Sequence, residues 1–217
     1  MLNKLKKFIN LPLSRKIQFL SSTYHKLKTQ TFYKLIFKNM GLKSVIKNPL
    51  LLTPEFISIG NGVYIWNDAR IEGVSSYAHK SFEPHIILED GVSIQQRCHI
   101  TAADILVIGK NTMVSFDVSI QDTDHEYEDL SMPVGNQPLR VKKTSIGENC
   151  FIGSGAKIQA GTILGRHCVV GTNAVVRGTF QDYSVIVGVP GKIVKRYDEN
   201  SKKWRKTNDK GEFLDEI

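Results

Sequence analysis

Aliphatic side chains recur every six residues through most of the chain between residues 59 and 176. Fifteen such positions, in four runs, carry Ile, Leu or Val: Ile59, Ile65, Ile71, Leu88, Ile94, Ile100, Ile108, Val114, Ile120, Ile146, Ile152, Ile158, Leu164, Val170 and Val176. A β-sandwich would alternate with a period of two and place turns roughly every 8–12 residues. The period of six predicts short strands joined by turns, each strand contributing one inward aliphatic side chain.

A second regular position lies four residues after each aliphatic one and is mostly small. It holds Cys98, Cys150 and Cys168, which we interpret as small buried residues and not as metal ligands or nucleophiles. Asp104 and Asp124 also fall in this inward position. The hexads group in threes, at 59–76, 88–105, 108–125, 146–163 and 164–181. This grouping predicts a three-sided coil, and stacked coils bury a continuous column of side chains.

The chain outside the hexads divides into an arm, two insertions and a tail. Residues 14–28 and 32–40 carry apolar side chains at intervals of three and four, which predicts two amphipathic helices before Pro54. The predicted boundaries are a helical arm at 1–54, a β-helix at 55–197 with loop insertions at 77–87 and 126–145, and a polar tail at 198–217. We expect the tail to form a short helix or a frayed end anchored by Trp204 and Phe213.

Charge is distributed unevenly along the chain. Residues 1–54 contain eleven Lys and Arg and no Asp or Glu, whereas the remainder contains eighteen basic and twenty-one acidic residues, for a net charge of +8. A basic amphipathic arm is attracted to anionic lipid head groups or glycans. Peripheral membrane contact through the arm is therefore one expectation, and packing of the arm as a cap on the β-helix is another. No nucleic-acid partner is predicted.

The sequence contains neither a run of eighteen apolar residues nor the pattern of a cleaved signal peptide. The first absence argues against a transmembrane helix and the second against secretion. We therefore expect a cytoplasmic protein, which would be peripheral at the inner membrane surface if its arm binds lipid.

Two segments carry a family resemblance: SIGENCFIGSGAKIQAGTILGRHCVVGTNAVV (145–176) and VGVPGKIVKR (187–196). They resemble the hexapeptide-repeat acyltransferases, above all the lipopolysaccharide and capsule sugar O-acetyltransferases and the maltose, galactoside and nodulation-factor acetyltransferases. The resemblance covers about residues 45–197. It implies an all-β, left-handed parallel β-helix and a homotrimer with active sites between subunits. It further implies acetyl-CoA as donor, a saccharide hydroxyl as acceptor and no metal.

One histidine stands out as a candidate general base. Acetyl transfer to a hydroxyl requires removal of the hydroxyl proton during attack on the thioester, and a neutral imidazole suits this step near neutral pH. His125 lies at the end of a predicted coil and opens the longer insertion. The segment DTDHEYED (122–129) resembles the family segment with the catalytic base, which implies that role for His125. Spacing does not distinguish which acidic neighbour orients the imidazole.

The resemblance also implies a set of binding residues. Gln95, or alternatively Gln96, occupies the position where galactoside-type members carry Asn near the acceptor. Asp124 is a second candidate for substrate binding. The candidate contacts to acetyl-CoA are Phe151, Gly153, Ser154, Thr172, Arg177, Lys192 and Lys195. Backbone N–H groups of Gly153 and Ser154 are candidates for stabilising the oxyanion of the tetrahedral intermediate. Phe151 stands where the family has Trp, so an aromatic surface is kept without the indole N–H.

Three other interpretations stay open at this point. N-acetylation of an amino sugar nucleotide would use the same fold, although the arm lacks the G-x-G-x-x-G pattern of a nucleotide-binding domain. A metal enzyme resembling the γ-class carbonic anhydrases needs three His ligands, for which His79, His85, His99 and His125 are candidates without tight ligand spacing. A non-catalytic β-helix scaffold that works through its basic arm is the third.

Overall fold

The chain folds into a three-sided parallel β-helix preceded by a short helical arm. The computed structural model describes residues 10–214. In each coil the chain passes along three short strands, one on each side, and then rises to the next coil. Strands that lie above one another on the same side pair in parallel. This arrangement confirms the predicted three-sided coil.

Three parallel sheets form the sides of the β-helix, with strands numbered in chain order. The first sheet contains β1 (Asn39–Met40), β4 (Ile57–Ile59), β9 (His85–Leu88), β12 (Ile105–Ile108), β17 (Thr144–Ile146), β20 (Ile163–Leu164) and β23 (Thr179–Phe180). The second contains β2 (Val45–Ile46), β5 (Tyr64–Ile65), β10 (Ser93–Ile94), β13 (Met113–Val114), β18 (Phe151–Ile152), β21 (Val169–Val170), β24 (Ser184–Val187), β25 (Lys192–Asp198) and β26 (Lys203–Lys206). The third contains β3 (Leu51–Leu52), β6 (Arg70–Gly73), β11 (His99–Ala102), β14 (Ser119–Gln121), β19 (Lys157–Ile158) and β22 (Val175–Val176).

The predicted aliphatic positions form the core. In the second sheet, Ile65, Ile94, Val114, Ile152 and Val170 stand above one another in the parallel register. Each of these side chains is 0% exposed. Burial of one such side chain stabilises a fold by about 1.5–3 kcal/mol, so the repeated stack supplies most of the driving force for coil formation.

Hydroxyl and thiol groups in the small inward position link each coil to the next. The Thr112 hydroxyl donates to the carbonyl of Gly147 (2.8 Å) and accepts from the N–H of Cys150 (3.0 Å). The Cys150 thiol has the same two roles one coil later, donating to the carbonyl of Gly165 (3.2 Å) and accepting from the N–H of Cys168 (3.3 Å). All three cysteines are buried and free, as predicted. Their thiols are also hydrogen-bonded, which composition alone does not indicate.

The β-helix begins earlier than the predicted boundary at residue 55. The arm contains α1 (Leu13–Lys28), a π-helical turn (Thr29–Tyr33) and the single turn α2 (Lys34–Ile36). Residues 39–52, predicted to belong to the helical arm, form the first coil instead. Met40, Ile46 and Leu52 repeat the interval of six and pair in register with the second coil. Stacking on that coil outweighs the helical spacing that the sequence shows over 32–40.

Each insertion forms a two-stranded hairpin and leaves the β-helix earlier than predicted. The first contains β7 (Ser76–Tyr77) and β8 (Lys80–Ser81), and the second contains β15 (Thr123–His125) and β16 (Leu139–Val141). The inward placement of Asp124 is wrong, because Asp122 is the fully buried carboxylate. Backbone N–H groups of Ala103 and Asp104 donate to Asp122 at 2.9 Å each. Burial raises the pKa of this carboxyl, and the two backbone donors oppose that rise. Asp104 is exposed, so its inward placement is also wrong.

The tail is a β-structure and not the short helix or frayed end expected from its polarity. β25 and β26 extend the second sheet in antiparallel pairing past the last coil. The ring of Trp204 contacts that of Tyr197 with centroids 5.7 Å apart. The guanidinium groups of Arg196 and Arg205 lie over the ring of Phe213 at 5.5 and 5.0 Å. Both predicted aromatic anchors therefore contact the hairpin.

Candidate active site

His125 lies at the point where the two insertions meet. Its backbone pairs with Leu139 across the β15–β16 hairpin, and its side chain is exposed. The ring of Tyr77, at the end of β7, contacts the imidazole edge to face, with centroids 5.3 Å apart and an interplanar angle of 71°. The Tyr77 hydroxyl donates to the carbonyl of Gly135 at 2.7 Å. Tyr77 therefore ties the first insertion to the second and packs against one side of the imidazole.

A cleft of about 530 Å³ opens beside this contact. Its walls come from both insertions: Tyr77, Ala78, His79, Met132, Gly135 and Asn136. Ala78 and His79 form the β7–β8 turn with positive φ angles of 44° and 64°, a conformation that side-chain-bearing residues adopt rarely. Aromatic and apolar walls with a few polar groups are the usual lining of a small-molecule site.

Two predicted site residues pair with each other beside His125. One terminal nitrogen of Arg177 donates to both carboxylate oxygens of Asp124, at 2.8 and 2.9 Å. The Lys142 ammonium lies 3.6 Å from the same carboxylate, and Arg177 also donates to the side chain of Gln159 at 3.2 Å. These contacts fasten the first strand of the second insertion to the sixth coil, and they fix the backbone next to His125.

Another ion pair joins two residues within the second insertion. The Arg140 guanidinium donates to Glu128 at 2.7 Å, and this hydrogen bond lowers the pKa of the Glu128 carboxyl. Arg140 stands opposite Asp124 in the hairpin register. Of the acidic residues that follow His125 in sequence, Glu128 thus pairs with a basic group of the hairpin, and Asp129 accepts hydrogen bonds from Ser131.

Most of the predicted coenzyme residues lie at a different edge. Gly153, Ser154 and Thr172 lie at the corners between the second and third sheets in successive coils, and Phe151 is 44% exposed on the adjacent strand. Gln95 occupies the same edge two coils earlier. One side of a coil spans about six residues, or roughly 15–20 Å. A single chain therefore does not bring Gln95 or Ser154 to His125, which lies beyond the opposite edge of the third sheet.

Glycine at position 153 has a packing reason. A Cβ atom there would lie 2.7 Å from the backbone nitrogen of Thr172 and from the carbonyl oxygen of Val170 in the next coil. The N–H of Gly153 already donates to the Val170 carbonyl at 2.8 Å. The candidate role of this N–H as an oxyanion donor is therefore wrong, because the sheet ladder uses it.

The two predicted lysines lie on β25. Lys195 is exposed and stands opposite Val185, in the same sheet as Phe151. The Lys192 ammonium donates to Asp209 at 3.0 Å, and this pairing lowers the pKa of the Asp209 carboxyl. Lys195 thus presents an exposed cation on the side of the β-helix that carries Phe151, whereas Lys192 is partly neutralised.

Comparison with known proteins identifies the repeats. Residues 143–178 match the family model described as bacterial transferase hexapeptide (six repeats). This part of the chain therefore carries hexapeptide repeats. The fold class is a left-handed parallel β-helix.

Two curated relatives match this chain over more than half of its length. It is 34% identical over 128 residues to the putative lipopolysaccharide biosynthesis O-acetyl transferase WbbJ of Escherichia coli K12, covering 56% of this chain and 65% of that protein. It is 30% identical over 164 residues to the probable acetyltransferase Rv3034c of Mycobacterium tuberculosis, covering 71% of this chain and 54% of that protein. The chain thus spans between about half and two thirds of the length of these relatives.

Two solved structures share the fold at low sequence identity. A maltose O-acetyltransferase from Clostridium difficile is 20% identical, with a TM-score of 0.55 over 85% of this chain and 84% of that chain. AntD, an N-acyltransferase from Bacillus cereus, is 19% identical, with a TM-score of 0.54 over 80% of this chain and 90% of that chain. At this level of identity both comparisons support the fold alone.

The histidines that a metal enzyme would need are not assembled. His85 is hydrogen-bonded to Ser58 at 2.8 Å, and His99 is exposed on β11. Within residues 10–214, no group of three or more His, Cys, Asp or Glu side chains is placed to hold a metal ion. The carbonic-anhydrase interpretation therefore has no ligand set among these residues.

The sequence did not single out Tyr77, Lys142 or Gln159. Tyr77 meets a partner 48 positions away, and Lys142 lies in the loop that returns the chain to the β-helix. The position of Tyr77 could have indicated its role, because it begins the predicted first insertion and the insertions of a solenoid often lie on one face.

Proposed function

We propose that this protein is an acetyl-CoA-dependent O-acetyltransferase that acts on a saccharide hydroxyl, with His125 as the general base. The observation that carries the proposal is the exposed imidazole of His125, which packs against Tyr77 in the wall of a cleft of about 530 Å³ built by both insertions. An exposed neutral imidazole can accept a proton near neutral pH. The cleft offers a tyrosine ring and polar groups suited to a sugar.

The named relatives support this reaction class. WbbJ is named as a lipopolysaccharide biosynthesis O-acetyl transferase, and the Clostridium difficile protein is named as a maltose O-acetyltransferase. By analogy the acceptor is an envelope polysaccharide or its lipid- or nucleotide-linked precursor. Such a reaction uses cytoplasmic acetyl-CoA, so the proposal places the enzyme in the cytoplasm.

The proposed step is direct transfer. The acceptor hydroxyl loses its proton to a ring nitrogen of His125 as its oxygen bonds to the thioester carbonyl carbon. The tetrahedral intermediate then collapses, the carbon–sulfur bond breaks, and the imidazolium returns the proton to the departing CoA sulfur. The Asp124–Arg177 pair fixes the strand that bears His125, and Tyr77 limits the rotation of the imidazole.

A second subunit would complete the site. His125 and the edge with Phe151, Ser154 and Thr172 lie at opposite ends of the third sheet. A homotrimer in which one chain's His125 edge faces its neighbour's Ser154 edge would place the base beside the coenzyme. In this arrangement the pantetheine arm lies along Ser154 and Thr172, and Lys195 is available to the phosphates.

Replacement of the base tests the mechanism. His125→Ala should lower kcat for transfer to an accepted sugar by about 10²- to 10⁴-fold, the range expected for loss of a general base. Calorimetric CoA affinity and the thermal midpoint should stay unchanged, because the side chain is exposed. His99→Ala removes another exposed imidazole and serves as the matched control. Near-wild-type turnover by His125→Ala would remove His125 from the mechanism.

Complementation tests the shared site. His125→Ala and Thr172→Trp should each be inactive, the latter because a bulky ring at this exposed corner would fill the coenzyme path. Co-expressed with different tags and purified as mixed oligomers, the two should regain activity, since some interfaces then combine two unaltered edges. Mixed oligomers with no recovered activity would contradict a site built by two chains.

N-acylation of an amino sugar nucleotide is the second candidate. It is favoured by the fold shared with AntD, which is named as an N-acyltransferase and was solved with dTDP and 3-hydroxybutyryl-CoA. Parallel assays with hydroxyl acceptors and with 4-amino sugar nucleotides separate the two. A preference for the amine would favour this candidate over the O-acetyltransferase.

A further inference from the structure

Helix α1 is attached to the β-helix through its polar side. His25 and Thr29 are 6% and 0% exposed. The Thr29 hydroxyl donates to the His25 carbonyl at 2.7 Å and accepts from the N–H of Ile46 at 2.8 Å. The Lys28 ammonium donates to the carbonyl of Lys47 at 3.0 Å. The arm therefore docks on the first coil mainly through hydrogen bonds at its C-terminal end.

The apolar side of α1 faces solvent. We name the apolar stripe as five side chains at intervals of four, three, four and three: Leu13 (73% exposed), Ile17 (58%), Leu20 (58%), Tyr24 (61%) and Leu27 (61%). At 100° per residue these side chains lie within roughly 40° of one direction, whereas His25 and Thr29 point roughly 120–160° away. A surface helix normally buries its apolar stripe against the protein core. In α1 the polar side is buried and the apolar stripe is left outside.

The charge around the apolar stripe is entirely positive in sequence. At 100° per residue, Lys16 and Lys28 flank the apolar stripe at roughly 60° on either side, whereas Arg15 and Lys26 lie on the opposite side of the same helix. Residues 1–54 contain no Asp or Glu. The cluster extends to Lys47, whose ammonium lies 3.7 Å from the centroid of the Trp66 ring. A partner for this surface must combine an apolar phase with negative charge.

An anionic bilayer offers both features. A helix of this kind lies in the interface plane, with its apolar side among the upper acyl chains and its basic side chains at the phosphate level. Each Lys or Arg near such a surface adds to the attraction, and the attraction is screened by salt. Among residues 10–214, no helix is long and apolar enough to cross a membrane.

We propose that α1 is a lipid-docking helix, in which the apolar stripe inserts into the head-group region of an anionic membrane and the flanking lysines, Lys16 and Lys28, bind lipid phosphates. The polar docking of α1 on the first coil then leaves the β-helix outside the bilayer. This inference does not depend on the acetyltransferase activity.

Vesicle sedimentation of the full-length protein tests the inference. The protein should sediment with phosphatidylcholine vesicles that contain 30% phosphatidylglycerol, and far less with phosphatidylcholine alone. Raising NaCl from 0.1 to 0.5 M should release it, since salt screens the charge attraction. The double variant Leu20→Glu/Leu27→Glu should bind at least tenfold more weakly, whereas Leu130→Glu, at a position 96% exposed in the second insertion, should bind like the wild type.

Two further measurements keep the test decisive. Circular dichroism melting should show that the double variant folds like the wild type, and light scattering should give the same oligomeric mass for both. Wild-type protein that ignores anionic vesicles, or a folded double variant that binds them normally, would overturn the proposal. A double variant with a lower oligomeric mass would also overturn it, because the apolar stripe would then be a contact between copies of this chain.

Discussion

Loss of the Thr112 hydroxyl should lower the free energy of unfolding substantially, although the group is small. Thr112→Val keeps the shape of a fully buried side chain and removes only its hydrogen-bonding capacity. The carbonyl of Gly147 then loses a donor at 2.8 Å, and the N–H of Cys150 loses its acceptor at 3.0 Å. A buried polar group left unpaired costs about 1–3 kcal/mol, and the added methyl returns only part of this. We expect a net loss of about 2–3 kcal/mol.

Urea unfolding monitored by circular dichroism measures this loss. For a chain of this length, about 2–3 kcal/mol corresponds to a thermal midpoint lower by roughly 5–10 °C. All samples must have the same protein concentration, because assembly adds to apparent stability. Thr112→Ser keeps the hydroxyl, gives up one buried methyl, and should cost only about 1 kcal/mol. A Val variant as stable as the wild type, or more stable than the Ser variant, would refute the idea that inward hydroxyl groups bind the coils together.

Three further outcomes follow from the fold. All three cysteines are buried, so they should resist alkylation at pH 8 in the native protein and react fully in denaturant. Cys98 should react least, because burial raises the pKa of its thiol to about 11; rapid native labelling would contradict their burial. Hydrogen bonds from Ser201 and Arg205 lower the pKa of Asp198 from 3.8 to about 2, so the stability that its carboxylate provides is present above about pH 4 and lost toward pH 2. Between pH 4 and pH 2 the thermal midpoint of Asp198→Asn should therefore fall less steeply than that of the wild type, and equal slopes for the two proteins would contradict this role of Asp198. Leu106→Ala should lower the free energy of unfolding by about 2–5 kcal/mol, and Ile105→Ala should lower it far less, because Leu106 is 0% and Ile105 52% exposed. Equal losses of the two variants in urea unfolding would contradict the assignment of inner and outer sides to β12.

The interval of six made the body of the β-helix predictable. Each buried aliphatic occupies the same place on a side of the coil, so the physical requirement is local and repeats in the sequence. The first coil followed the same rule through Met40, Ile46 and Leu52, but helix-like spacing in the overlapping segment concealed it. Where two periodic patterns compete, the side chain that stacks on a neighbouring coil decides the structure.

The insertions and the pairings of the site were less predictable. The sequence distinguished His125 from the other histidines, yet the contact with Tyr77 and the pairing of Asp124 with Arg177 join residues far apart in the chain. No period links such positions, because each contact depends on how a hairpin leaves the coil. The prediction for the tail was wrong for a related reason, since a polar composition is typical of an edge strand as well as of a frayed end.

The antiparallel turn at the end of the chain has a consequence for solubility. A stack of parallel rungs ends in an open row of backbone donors and acceptors, onto which another such stack could add without limit. Here the final rung is followed by a reversal of strand direction, and the outermost strand, β26, reads Lys203, Trp204, Arg205, Lys206. Three positive charges in four residues repel an identical strand. The reversal thus disfavours the addition of another stack at this edge of the second sheet.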